Sequence, residues 1–333
     1  MSKNVVLLSI LIAGLSACAP CDYERLSKLP SESSVPEEHK EKVTFIKEVR
    51  KFGIEQLGLK RCTQHYTTYS ETNEEAKILY RLFVTKPTVL PNTWGEATQF
   101  LENQALFRED VNAKYFISFV DTLEDELRYY KQEGYDVYAR NTTNYNLIES
   151  NDGSSITPSF LNYTPEWQAN TILHEICHDT LEAMIGDLPS EIDEPYCMLF
   201  GYAGSIEYFK VKKGIDSEEY TKAMRSFVNS EDIAVKTIQS YQKLQELYKS
   251  EKSLAQQQQE REAIFVELQC VLGEEVNNAQ LCDKYPYTQY YPLMLQLYRS
   301  HNNDLPKILG VMKDCPPDTE KALKYIREII KNN

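Results

Sequence analysis

The stretch TILHEICHD at residues 171–179, followed after a short connection by EIDE at 191–194, decides how the rest of the chain is read. Four residues on an α-helix advance about 400°, so His174 and His178 project from nearly the same side, one turn apart, and can share one metal ion. Glu175 lies about 100° round the helix from His174, within reach of a water at that ion as a general base. A third protein ligand would leave the one open position that a catalytic zinc keeps.

The flanking residues predict a rigid helix around the histidines. Leu173, Ile176, Cys177, Thr180 and Leu181 form an i, i+3, i+4, i+7, i+8 stripe, and both histidines lie beside it. Thr164, Pro165 and Glu166 read as N-cap, N1 and N2, and Gly186 as the stop, giving about 21 residues of helix. The connection 186–190 is so short that the next helix, to about Phe209, folds back beside the first. Asp193 is expected to cap that second helix, with Glu194 and Pro195 in its first turn and the Glu194 carboxylate turned toward the ion. Glu191, one turn earlier, competes as third ligand. Cys177 points into the apolar stripe and reads as packing rather than as a soft ligand.

Residues 1–17 read as a signal peptide: Lys3 supplies a positive n-region and Val5 to Leu15 an apolar h-region. Leu15-Ser16-Ala17-Cys18 resembles a bacterial lipobox, which implies cleavage before Cys18 and lipidation of its thiol. Residues 18–37, with Pro20, Pro30 and Pro36, read as a tether, so the expected location is the bacterial cell envelope, as an exported, membrane-anchored lipoprotein. The chain has 36 basic against 50 acidic residues, net −14, which argues against a nucleic-acid partner and against binding anionic lipid by charge alone. Of eight cysteines, an odd number remains once Cys18 is set aside, and Cys270 with Cys282 is the expected local disulfide.

A helix is predicted from Glu38 to Leu57, closed by Gly58. Aromatic or β-branched runs at 66–69, 78–85, 115–120 and 135–140, with a helix at 122–132 between the last two, predict a small sheet. From Glu218 onward the chain reads as almost wholly helical, over 218–249, 254–271, 286–300, 305–312 and 318–330. The expected organisation is therefore an α+β region at 38–212 carrying the metal site and a helical region at 213–333 packing on it. Tyr285, Tyr287, Tyr290 and Tyr291 crowd together, either as packing or to bring one phenol to the ion as an oxyanion donor.

Further segments carry a family resemblance. FGIEQLGL at 52–59, GYDVY at 134–138 and NNAQL at 277–281, together with His174-Glu-Ile-Cys-His178 and Asp193-Glu194, resemble the bacterial zinc aminopeptidase family, lipoproteins of the gluzincin class. The resemblance implies that His174, His178 and Glu194 hold Zn2+ and that Glu175 is the catalytic base in peptide hydrolysis. It also implies a predominantly helical α+β fold with a zincin-like core, a small sheet over the H-E-x-x-H helix and a helical C-terminal half. Asp193 stands where the family has Asn, Pro195 where it has a small residue, and 145–152 departs from the family's run. The alternative is a non-catalytic envelope lipoprotein with a structural zinc and a helical protein-interaction surface, which requires a fourth protein ligand such as His65, His301 or a cysteine.

Overall fold

The structure, a computed structural model, describes residues 35–60, 65–69, 79–90, 113–141 and 155–333. The signal peptide, Cys18, nearly all of the tether, Cys21, Cys62 and the run 145–152 lie outside the described residues. In chain order the elements are α1 (Lys40–Gln56), β1 (Leu79–Thr85), β2 (Ala113–Phe119), α2 (Val120–Gln132), β3 (Asp136–Asn141) and the single turn α3 (Pro158–Leu161). Helices α4 (Pro165–Ile185), α5 (Ser190–Lys212), α6 (Glu218–Lys249), α7 (Leu254–Leu272), α8 (Asn278–Thr288), α9 (Tyr291–Ser300), α10 (Leu305–Met312) and α11 (Thr319–Asn332) follow. The fold is α+β and predominantly helical.

Helix α4 forms where the sequence places it, with Pro165 at its first turn and Gly186 at φ 79° ending it. Its stripe from Ala169 through Leu173 and Ile176 to Leu181 is buried and is the centre of the main core. Glycines let the neighbouring helices close onto it. A Cβ on Gly204 of α5 would stand 2.8 Å from Leu173 Cδ1, and one on Gly201 would stand 2.6 Å from the Asn170 carbonyl oxygen and 3.1 Å from His174 Cβ. Helix α5 therefore runs against the α4 backbone at the level of His174, which restrains that ring by packing. The same core takes residues from α1 and from α9 to α11.

Helix α5 begins earlier than the sequence predicts. Pro189, at φ −57° and ψ 136°, makes the entry, and its carbonyl accepts from the N–H groups of Ile192 (2.8 Å) and Asp193 (3.0 Å). Asp193 thus lies inside the helix instead of capping it, and its side chain is released for another partner. Pro195 is also interior, where it cannot supply the usual donor to the carbonyl four residues back.

The sheet is antiparallel with strand order β2-β1-β3. Period-two alternation gives β1 and β3 two distinct faces. Leu82, Val84, Val137 and Ala139 pack with Leu123 and Tyr130 of α2, whereas Phe83 and Tyr138 pack with Ala279 of α8. Residues 66–69, expected as strand, are turn residues with one bridge, Tyr69 to Ile156. There the aromatic content serves packing: buried Tyr66, at φ 57°, stacks on Phe160 at 4.6 Å.

A polar clamp fastens the sheet to the C-terminal helices. Arg261 of α7 donates to both oxygens of Asp136 at 2.8 and 2.9 Å, and the Asn278 N–H donates to the same carboxylate at 3.1 Å. Asn277 Nδ2 donates to the Val137 carbonyl at 2.9 Å, and Asn278 Nδ2 to that of Pro87 at 2.8 Å. The segments 134–138 and 277–281 are thus one structural unit. Asp136 and Arg261 are about nine-tenths enclosed, so Asp136→Ala would leave the guanidinium with the Pro87 carbonyl and the exposed Glu262 carboxylate but without its buried counter-ion. The expected loss is about 3–5 kcal/mol, read as a lower midpoint of denaturant unfolding.

In the C-terminal half, the stretch expected as one helix from 286 to 300 is two. Asn277 caps α8 by accepting from the Gln280 N–H at 3.0 Å, and the chain breaks at Gln289–Tyr290 before α9. Cys270 and Cys282 are both free thiols rather than a disulfide: Cys270 is on an exposed side of α7 and Cys282 is buried on α8. No helix among the described residues is long and apolar enough to cross a membrane.

Candidate metal centre

His174 and His178 of α4 and Glu194 of α5 bring three donor atoms to one point. The two Nε2 atoms are 2.9 Å apart, and Glu194 Oε2 lies 3.5 Å from that of His174 and 3.4 Å from that of His178. Ligands at about 2.0–2.1 Å from a tetrahedral ion stand roughly 3.3 Å from one another, and the observed spacings bracket that value. Glu194 Oε2 is buried and makes no hydrogen bond of good geometry, an arrangement that costs free energy without a cation to face. The residues present fit a divalent metal. Glu191, the competing ligand, does not join the cluster.

The second ring nitrogen of His178 is held from behind. Its Nδ1 is 2.6 Å from Asp193 Oδ2, and the Cys197 thiol donates to Asp193 Oδ1 at 3.6 Å. A carboxylate on the far nitrogen of a ligating histidine fixes its tautomer and ring orientation and makes it a better ligand. Asp193, expected as a helix cap, has this position instead.

A scan against family models matches residues 115–322 to the family described as "Putative aminopeptidase". That match covers well over half of the 333 residues. The chain belongs to that family. The match takes in every donor of the cluster together with the segments 134–138 and 277–281, whereas 52–59 precedes it. No curated protein and no solved structure was found to match the chain.

Charge in this aminopeptidase-family site is tightly coupled. Burial works against a charged His178 ring, but Asp193 and Glu194 outweigh it and hold its pKa well above 6.5. Burial alone would raise the Glu194 carboxyl; the two imidazoles, His178 foremost, instead hold it well below the usual carboxylate range. Glu194 therefore remains ionised, as a metal ligand must be. Glu175 sits between the two histidines in sequence, is partly exposed, and acts electrostatically on His65.

His65 and His301 do not supply a fourth ligand. His301 Nδ1 faces the Leu297 carbonyl oxygen at 2.9 Å. Buried His65 pairs through Nε2 with Asp179 Oδ1 at 3.2 Å, one turn beyond Glu175 on α4. Burial lowers the affinity of His65 for its proton, but the hydrogen bond and charge of Asp179 prevail and raise its pKa above 6.5. A raised folded-state pKa gives stability that is fully present below 6.5 and is lost as pH rises through the folded value. His65→Gln is accordingly expected to lose more thermal stability at about pH 6 than at about pH 9, measured as the Tm difference from wild type.

The tyrosine cluster divides by role. Tyr285 stacks on Tyr241 at 3.6 Å and the Tyr291 hydroxyl lies 2.8 Å from Ser230 Oγ, both packing arrangements. Tyr287, on α8, is partly buried, and desolvation, with the charge of Glu194 next, pushes its phenol up so that it keeps its proton. It is the member of the cluster that answers electrostatically to the metal centre.

Proposed function

We propose that the protein is a zinc-dependent peptidase in which His174 Nε2, His178 Nε2 and Glu194 Oε2 hold the ion. The observation that carries this reading is the convergence of three donors on one point, with a buried carboxylate oxygen that makes no hydrogen bond of good geometry among the described residues. Two imidazoles and one carboxylate are a donor set typical of catalytic zinc, and membership of the aminopeptidase family supports peptide hydrolysis. A zinc ion bound there would supply Lewis acidity to the scissile carbonyl and to the attacking water.

The remaining steps belong to the protein. A carboxylate oxygen of Glu175 takes the proton of the water that attacks the carbonyl carbon and passes it to the leaving amine nitrogen. Asp193 accepts from His178 Nδ1–H and so keeps the Nε2 lone pair aimed at the ion. Tyr287, protonated and within the electrostatic reach of Glu194, is the proposed donor to the developing oxyanion. The zincin-like character of the core, export through residues 1–17 and lipid anchoring at Cys18 are part of the same reading, as is a peptide partner rather than a nucleic acid.

The test is hydrolysis of a panel of free and N-blocked peptides by the full chain, before and after metal is stripped and zinc restored. Cleavage of free but not blocked peptides, abolished by stripping and recovered with zinc, is the expected result. Retained zinc with no turnover of any peptide would overturn it.

A further inference from the structure

The sheet face toward α8 carries a pairing that sheet physics disfavours. Arg81 of β1 stands directly opposite Arg140 of β3, in the same row as the pairs Phe83–Tyr138 and Thr85–Asp136. Like charges directly opposite destabilise an antiparallel pair, and such local violations concentrate at functional positions. Helix α8 runs in step with β3 across this face. It meets Asp136 through the Asn278 N–H, and farther along Asp283 lies 3.3 Å from Arg140. Nine residues of helix and four of strand each span roughly 13 Å, so Arg140 comes level with Tyr287, whose ring centre is 5.8 Å from the guanidinium. Helix α8 also packs on α5, and Tyr287 lies in the field of Glu194. Arg140 therefore stands at the end of the sheet that faces the metal centre.

Asp283 and a hydrogen bond with the Tyr287 phenol hold the charge of Arg140 and leave part of its side chain open. Asp283 is fully enclosed, yet neither of its oxygens is in a hydrogen bond of good geometry, so the contact with Arg140 is ionic only. A guanidinium has five N–H donors in a planar fork that matches a carboxylate, and 32% of this side chain is still exposed. We infer that Arg140 binds a carboxylate of the peptide substrate close to the scissile bond, either the terminal carboxylate of a dipeptide or an acidic side chain. This rests on the peptidase reading above.

The test uses the full chain with zinc and four substrates: Ala-Phe against Ala-Phe amide, and Ala-Glu amide against Ala-Gln amide. The first pair reports a terminal carboxylate and the second an acidic side chain. One member of a pair is expected to be preferred in kcat/KM by roughly 10- to 100-fold, as a charge-assisted bidentate contact gives. Arg140→Met should collapse that ratio through KM, and Arg140→Lys should restore part of it. Should Arg140→Met fail to fold with Asp283 left unpaired, the double variant Arg140→Met/Asp283→Asn removes both charges and tests the same ratio. Binding of the same peptides to Glu175→Gln protein, by calorimetry, gives a readout independent of turnover. A ratio near one in wild type, or an equal ratio in the Arg140 variants, would overturn the inference and leave the peptidase reading standing. Absence of both hydrolysis and binding for all four peptides would overturn the two together.

Discussion

Glu175→Gln is expected to keep its zinc and lose about 10²–10⁴-fold in kcat. Glutamine has nearly the shape of glutamate, so the fold and the three converging donor atoms, none of which belongs to Glu175, are left as they are. What disappears is a basic oxygen able to accept the proton of the attacking water. Metal content by mass spectrometry should match wild type, and KM should change far less than kcat, because proton transfer belongs to the transition state. Loss of zinc along with activity would mean that Glu175 is a ligand. Unchanged activity would remove it from the reaction.

The second large effect is expected on metal affinity and separates a ligand from its support. Glu194→Ala removes one of three donors and also frees α5 from its charged contact with both histidines. Asp193→Ala leaves all three donors but releases His178 Nδ1. Losing an outer partner of this kind typically costs about 10- to 100-fold in affinity. Competition with a chelator should therefore rank wild type above Asp193→Ala, and Asp193→Ala well above Glu194→Ala. Equal affinities for the two variants would show that Glu194 contributes no more than an orienting group.

The helix that carries His174 and His178 was legible because several independent signals coincide over 165–186: a proline suited to a first turn, an apolar stripe with helical spacing, and a glycine able to adopt φ 79°. That Glu194 would come to lie beside the two histidines was also legible, since a four-residue connection forces the next helix back alongside. Asp193 was misread because Asp followed two residues later by Pro imitates a helix start, whereas the real entry at Pro189 uses no side-chain cap. Its oxygen is committed to His178, a tertiary partner that no local signal encodes. Pro286 misled in the same way: it imitates a first-turn proline but lies within α8, and the true break at Gln289–Tyr290 contains no glycine or proline.

Features that depend on strand register were out of reach. GYDVY and NNAQL stood out as segments, but that Asp136 meets Asn278 and Arg261 follows only once β3 and α8 lie side by side. The Arg81–Arg140 pair is likewise invisible until β1 and β3 are in register. Residue types could be flagged in advance; which of them share a face could not.

The claim on which the account rests is that one ion sits among His174, His178 and Glu194, and not on the other side of His178 among Asp193 and Cys197, whose atoms also converge. X-ray absorption at the zinc edge of the purified full chain distinguishes the two. The account predicts a first shell of nitrogen and oxygen alone at about 2.0–2.1 Å, whereas a sulfur scatterer at about 2.3 Å, lost in Cys197→Ser, would contradict it.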